Sequence, residues 1–139
     1  MGVSILIVTH GNIGQSILDI ATKIIGSTTM PIKAINVDMN ANREDLLEKI
    51  NLAAINLDTG AGVLILTDMF GATPSNIVSS SDINHCIVVS GLNLPMLIRL
   101  MNYHTLSLDE LTDKAVEGGK DAVLAYYLDK DKKKNHVAS

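Results

Sequence analysis

Short apolar runs, each about one strand long, alternate along the chain with longer segments of helical hydrophobic period. This alternation is typical of βαβ units, in which helices cover both faces of a parallel sheet. With 139 residues, the chain is long enough for one such domain. We therefore predict an α/β fold: a single three-layer αβα domain whose mainly parallel sheet has the strand order 2-1-3-4. The expected strands are residues 3–9, 32–37, 62–68 and 85–90.

Capping residues mark where the helices begin. Asn42 is a favourable N-cap, and Ser107 with Glu110 forms a capping box for the last helix. Thr73 followed by Pro74 predicts an N-cap and first helical residue for a short helix that ends near residue 80. The helix after the first strand is expected to stop at Gly26 and to bury its apolar positions, namely Ile13, Ile17, Ile20, Ala21, Ile24 and Ile25.

The C-terminal part of the chain carries less regular signals. Gly118 and Gly119 are expected to weaken the last helix. The segment AVLAYYL, residues 122–128, predicts a fifth, antiparallel edge strand. We place the domain at residues 1–128 and expect residues 129–139, which are rich in charge, to form a flexible tail.

Composition excludes several classes of protein. A net charge of −4 gives no electrostatic basis for binding nucleic acid. Cys86 is the only cysteine, so no disulfide or CxxC metal site can form within the chain, and its apolar neighbours predict a buried, inert thiol. The apolar start is too short to span a membrane and lacks the features of a signal peptide, so a cytoplasmic location is expected.

The polar residues that follow the strands are the candidates for a functional site. In open α/β sheets, ligands bind beyond the carboxyl ends of the strands, at the point where the strand order reverses. The order 2-1-3-4 makes the first and third strands neighbours at that point. His10 follows the first strand and Asp68 ends the third. We expect these two side chains to face each other.

A histidine paired with a carboxylate suits nucleophilic chemistry. The carboxylate fixes the imidazole tautomer and stabilises the imidazolium that forms when the other ring nitrogen attacks. Gly11, Gly14 and Gly71 would let the backbone approach an anion there. The pattern therefore indicates phosphoryl transfer with His10 as the acceptor. A structural histidine beside a capping aspartate is the alternative interpretation that the residues alone leave open.

Other sites have less support. His85, His104 and His136 lack metal-ligand spacing, so no metal site is expected. The segment GNIGQS lacks the lysine of a nucleotide-binding P-loop and the third glycine of a dinucleotide-binding fingerprint. No serine lies in a GxSxG elbow.

Three blocks together resemble a known family over essentially the whole chain. They are Thr9-His10-Gly11 after the first strand, TDMFGATPSN at residues 67–76, and GLNLPML at residues 91–97. The sequence is similar to the IIA component of the mannose family of the bacterial sugar phosphotransferase system. The middle block is the most specific, because there a strand ends in Asp before a Gly and a Thr-Pro-x-Asn segment.

The resemblance implies a function and its partners. His10 would accept a phosphoryl group from the phosphohistidine of the carrier protein HPr and pass it to a IIB component. Asp68 would hold the imidazole, and the pocket would be lined by Thr9, Gly11, Gly71, Thr73 and Asn93. No metal or organic cofactor is implied, and the membrane is involved only through the IIC and IID components. The family forms homodimers in which a fifth strand can be exchanged.

Three alternatives to sugar transport are considered. One is the phosphoryl-donor subunit of dihydroxyacetone kinase, which uses an N-terminal histidine on the same fold. Another is a regulatory phosphoprotein that reports phosphotransferase status without moving sugar, suggested because no IIB-like segment follows the IIA-like part. The third is a flavodoxin-like domain that binds a small molecule at the switch point.

Overall fold

A parallel sheet forms the middle layer of the domain. The computed structural model describes residues 2–79 and 85–129 and the backbone of residues 136–137. Within these ranges, four strands pair in the order β2-β1-β3-β4, and all three pairings are parallel. The predicted strand order is therefore confirmed. The strands are β1 (Ser4–His10), β2 (Ile32–Val37), β3 (Val63–Thr67) and β4 (Cys86–Ser90).

Helices cover both faces of this sheet, so the three-layer prediction is also confirmed. The described part of the chain contains α1 (Ile13–Ile25), α2 (Arg43–Leu57), α3 (Thr73–Ser79), α4 (Leu94–Asn102) and α5 (Leu108–Asp121). Alternate residues of each strand point to opposite faces. One face of the sheet forms a core with α1, α4 and α5, and the other face packs against α2 and α3.

Local capping follows the sequence signals at two helices and departs from them at a third. The Asn42 side chain accepts hydrogen bonds from the amides of Glu44 and Asp45. The predicted capping box of α5 is present, and hydrogen bonds from Ser107 lower the pKa of Glu110. Thr73 is not the N-cap of α3, because it is already the first helical residue.

The expected burial of the α1 isoleucines is only partly correct. Ile13, Ile20 and Ile24 are 47%, 44% and 59% exposed, whereas Ile17 and Ile25 pack against the core. Small residues, Gly14 and Ala21, are the buried positions of this helix. Because small residues face the sheet, α1 lies close to it and the larger side chains are displaced to the flanks.

The glycine pair in α5 does not weaken that helix, contrary to the prediction. The helix continues through both glycines to Asp121, and the glycines are buried where α5 packs against α4. A Cβ atom on Gly118 would lie 3.1 Å from Arg99 Cδ, and one on Gly119 would lie 2.8 Å from Met96 Cε. Glycine therefore occupies these two positions because the neighbouring helix α4 leaves little room for a side chain.

The predicted fifth strand does not join the edge of the main sheet. Within residues 122–128, only β5 (Leu124–Ala125) is extended, and it pairs antiparallel with β6 (His136–Val137) in a separate two-stranded sheet. Both residues of β5 are exposed. The rest of the predicted tail, residues 130–135 and 138–139, lies outside the described residues.

Close contact between α1 and β1 depends on Gly14. A Cβ atom at this position would overlap Ile7 Cγ2 and would lie 3.0 Å from Thr9 Cγ2. Both neighbours are buried β-branched side chains of β1, which have little freedom to move. The glycine in the GNIG segment thus serves helix–sheet packing. The prediction that it lets the backbone approach a ligand is not supported.

We expect Gly14→Ala to destabilise the fold by about 1–3 kcal/mol, since α1 must shift away from β1 to avoid overpacking. Ser16→Ala is the matched control, because Ser16 is an exposed position of the same helix, where the smaller alanine side chain causes no overlap. Urea unfolding of both variants measures the difference. Equal destabilisation by the two substitutions would contradict this account of Gly14.

Candidate functional site

His10 and Asp68 meet at the carboxyl end of the sheet. His10 is the last residue of β1, and Asp68 directly follows β3, the strand paired with β1. The distance from His10 Nδ1 to Asp68 Oδ2 is 2.8 Å, which is a short hydrogen bond between residues 58 positions apart in the sequence. The structure thus brings together the two side chains that the strand order places at the switch point.

A single oxygen of Asp68 holds both the ring and the backbone of His10. The same Oδ2 atom accepts a hydrogen bond from the His10 backbone N–H at 3.3 Å. The His10 side chain is 28% exposed and the Asp68 side chain 13% exposed. An ionised carboxylate can only accept hydrogen bonds, so the imidazole proton lies on Nδ1. Nε2 then carries the lone pair and is the nucleophilic nitrogen of a partly exposed ring.

The turn after His10 is held by β2. Gly11 has a φ of +46°, which favours glycine, and its N–H donates to the Val37 carbonyl at 3.1 Å. The next residue, Asn12, accepts a hydrogen bond from the Asn36 side chain at 2.7 Å. Asn12 stands at the N-cap position of α1 but makes no side-chain cap. Its side chain therefore links the turn to the neighbouring strand.

Thr9 lies beneath the site and does not line it. Its side chain is fully buried, and its hydroxyl accepts a hydrogen bond from the Gly14 N–H at 2.8 Å. The hydroxyl proton is directed to the His10 carbonyl, 3.3 Å away. The family resemblance implied that Thr9 lines the pocket. The structure places it in the packing between β1 and α1.

The remaining predicted pocket residues occupy different places. Gly71 is exposed in the loop between β3 and α3, with a φ of +80°, and Thr73 is half-buried at the start of α3. Asn93 instead caps α4: its side chain accepts from the Met96 N–H at 2.9 Å and donates to the Gly119 carbonyl at 3.1 Å. Asn93 therefore joins α4 to α5, and its hydrogen bonds do not lead to His10.

Large apolar side chains are exposed in the segments that follow the first three strands at this end of the sheet. We call them the apolar rim: Ile13 is 47% exposed, Met39 67%, Met69 57% and Phe70 83%. They follow β1, β2 and β3, the strands whose carboxyl ends surround His10. Sequence reasoning attached no meaning to Phe70. The sequence did offer one indication that Phe70 is exposed for a function: it is an aromatic residue in a loop, in a chain with only 3% aromatic residues.

Other features lie away from this site. A cavity of about 440 Å³ opens at the opposite, amino end of the sheet, lined partly by Thr29, Thr59 and His104. In the described part of the chain, no three His, Cys, Asp or Glu side chains form a group that could hold a metal ion.

Cys86 is half-buried, and burial raises the pKa of its thiol, which disfavours the reactive thiolate. None of the described helices is long and apolar enough to cross a membrane.

Comparison with known sequences supports one family. Residues 4–116 match the family model EIIA-man, described as the PTS system fructose IIA component. The mannose-specific EIIAB component of Escherichia coli K12 is 36% identical over 129 residues, covering 90% of this chain and 40% of that protein. The transcriptional regulatory protein LevR of Bacillus subtilis is 37% identical over 68 residues, covering 48% of this chain and 7% of that protein.

Comparison with solved structures supports the same fold. The mannose/sorbose-specific IIA subunit from Enterococcus faecalis superposes with a TM-score of 0.81 at 22% identity, covering 93% of this chain and 98% of that subunit. The present chain spans about two fifths of the length of the EIIAB relative. Because the family model covers most of the chain, including His10 and Asp68, the chain belongs to the EIIA-man family of phosphotransferase system components.

Proposed function

We propose that this chain is a phosphoryl carrier of the sugar phosphotransferase system and that His10 carries the phosphoryl group. The observation that carries the proposal is the 2.8 Å contact between His10 Nδ1 and Asp68 Oδ2. Because this contact holds the ring proton on Nδ1, Nε2 keeps its lone pair and acts as the nucleophile. In the first step, the donor's phosphorus–nitrogen bond breaks as a bond from phosphorus to His10 Nε2 forms. The donor proposed from the family resemblance is the phosphohistidine of HPr, whose imidazole leaves with its lone pair.

Asp68 supports both directions of transfer. When Nε2 bonds to phosphorus, the ring retains the proton on Nδ1 and acquires positive charge, which the adjacent carboxylate stabilises. The second transfer reverses this change as the group moves to an acceptor, proposed to be a IIB component. This chemistry needs no metal ion or organic cofactor. The membrane enters only through the IIC and IID components, and the carrier itself would act in the cytoplasm.

The exposed side chains of the apolar rim support the proposal that the donor and the acceptor of the phosphoryl group are proteins. Phe70, Met39 and Met69 are more than half exposed, although burying such side chains is favourable. Exposed apolar groups of this size, when clustered, are characteristic of protein interaction sites. A partner that covers the rim would bring its own phosphoryl-bearing side chain to His10 and exclude water from the transfer.

A regulatory role is the second candidate, favoured by the match to the transcriptional regulatory protein LevR. In that role, phosphorylation of His10 would report the state of the phosphotransferase system and no sugar would be moved. The gene neighbourhood distinguishes the two: adjacent IIB, IIC and IID genes favour transport. Genes for HPr and enzyme I without a permease favour regulation.

His10→Ala is expected to abolish phosphorylation. The protein is incubated with phosphoenolpyruvate, enzyme I and HPr, and phosphate that is labile to acid and stable to base is measured. His104→Ala is the control, because His104 lies at the opposite end of the sheet and should label like wild type. Equal labelling of the His10→Ala variant, or no labelling of the wild-type protein, would remove the carrier proposal.

Asp68→Asn is expected to keep the site assembled but to slow transfer by roughly 10- to 100-fold, because the imidazolium loses its charge partner and the tautomer is no longer fixed. Rapid-quench measurement of transfer from phosphorylated HPr gives the rate. Asp113→Asn, at an exposed position of α5 outside the apolar rim, is the matched control. A rate for Asp68→Asn equal to wild type would exclude Asp68 from the mechanism.

We further propose that the chain forms a homodimer. The segment after α5 exposes apolar side chains, including Leu124 at 47% and Leu128 at 87%. Among the described residues, β4 is one of the two edge strands of the main sheet and pairs only with β3, so its other edge could accept a further strand. The family resemblance suggests that this strand comes from a second copy of the chain.

Leu128→Asp is expected to weaken the dimer at micromolar concentration, because a charge replaces an apolar side chain at the proposed interface. Sedimentation velocity reports the change in molecular mass. Ile55→Asp provides the control: it replaces an exposed apolar residue of α2, on the opposite face of the sheet. A wild-type protein that sediments as a stable monomer at this concentration would exclude the dimer.

A further inference from the structure

The geometry points to Thr9 as a positioning residue for phosphoryl transfer: its hydroxyl fixes the turn that presents His10. This inference rests on the proposed function of His10 and adds a residue that does not touch the phosphoryl group. Thr9 has no exposed surface, so it cannot line the site. Thr9 can therefore affect phosphoryl transfer only by holding the backbone of the β1–α1 turn in place.

The Thr9 hydroxyl joins the two ends of the turn. It accepts from the Gly14 N–H at 2.8 Å, which anchors the first turn of α1 to β1. Its own proton is directed to the His10 carbonyl at 3.3 Å. The Gly14 amide is buried, so without this acceptor it would lose its hydrogen bond where water cannot easily replace it.

The turn is short, so a shift of α1 is transmitted to His10. β1 ends at His10 and α1 begins at Ile13, which leaves only Gly11 and Asn12 between them. The turn is also tied to β2: the Asn36 side chain donates to Asn12 in an exposed hydrogen bond, and the N–H of Gly11, an exposed residue, donates to the Val37 carbonyl. Exposed hydrogen bonds of this kind contribute less to rigidity than a buried one. The Thr9–Gly14 bond is the buried restraint that joins the first turn of α1 directly to β1.

Asp68 makes the position of His10 critical. It belongs to the chain after β3, so it does not move with the β1–α1 turn. Its Oδ2 atom accepts from both the ring and the backbone of His10, at 2.8 Å and 3.3 Å. A displacement of the turn therefore disturbs both bonds at once, and misplacement of reacting groups by about 1 Å can cost a hundredfold in rate.

Three substitutions separate positioning from stability. Thr9→Val keeps the shape and removes the hydroxyl, Thr9→Ala removes it with a smaller side chain, and Thr9→Ser retains it. We expect the Val and Ala variants to lower the maximal rate of transfer from phosphorylated HPr roughly tenfold, with an unchanged KM for the donor. Thr9→Ser is expected to restore the rate. Amide hydrogen exchange should be faster at Gly14 in the Val and Ala variants only.

Thr59→Val is the control for the loss of a threonine hydrogen bond. The Thr59 hydroxyl donates to the Gly2 carbonyl at 2.7 Å at the amino end of the sheet, so its loss should leave the transfer rate unchanged. Rates are expressed per folded molecule, with the folded fraction taken from circular dichroism. A Thr9→Ala variant with rapid Gly14 exchange and a wild-type rate would overturn the inference. Equal slowing by Thr9→Ser would also overturn it.

The ring nitrogens of His10 provide a measurement that does not depend on phosphoryl transfer. Their ¹⁵N chemical shifts report the tautomer and the hydrogen bond to Asp68. We expect the shifts to change in the Val and Ala variants and to match wild type in Thr9→Ser. If wild-type His10 is not phosphorylated, the proposed function fails, but these shifts still test the positioning. Unchanged shifts in all three variants would then exclude it.

Discussion

The hydrogen bond between His10 and Asp68 depends on the adjacency of two parallel strands. The two residues are 58 positions apart, and only the pairing of β1 with β3 brings them within 2.8 Å. That pairing places Val8 opposite Thr67, so both strands reach the carboxyl edge of the sheet together. A shift by one residue would move His10 relative to Asp68 and reverse the faces of β1. The proposed chemistry therefore requires this strand register.

Burial on both faces of β1 holds that register. The four residues from Ile5 to Val8 have no exposed surface, and they alternate between the two cores. Each such side chain contributes about 1.5–3 kcal/mol relative to leaving it in water. His10 is the last residue of β1, and the exposed apolar side chains lie in the segments that follow the strands. A rigid frame with functional loops is a common arrangement in α/β proteins.

Much of the fold could be predicted from the sequence because its determinants are local. The strands follow from apolar runs, and the caps at Asn42 and Ser107 depend on residues only two or three positions away. The errors concern contacts between distant elements. Gly118 lies against Arg99 of another helix, and Asn93 reaches the carbonyl of Gly119. The place of Thr9 under the site depends on how closely α1 approaches β1, which hydrophobic period does not specify.

The form of the site favours a large partner over a small ligand. The His10 ring lies at the carboxyl edge of the sheet, with 28% of its side chain exposed, and the exposed Met69 and Phe70 directly follow Asp68 in the chain. A small molecule would leave most of this apolar surface in water, whereas a protein surface could cover Phe70 and reach Nε2 in the same contact. Such a site would leave the choice of substrate to the partners. In the proposed transfer, this chain has to place one imidazole accurately: the Asp68 carboxylate holds the ring, and the buried Thr9 hydroxyl holds the first turn of the helix that follows.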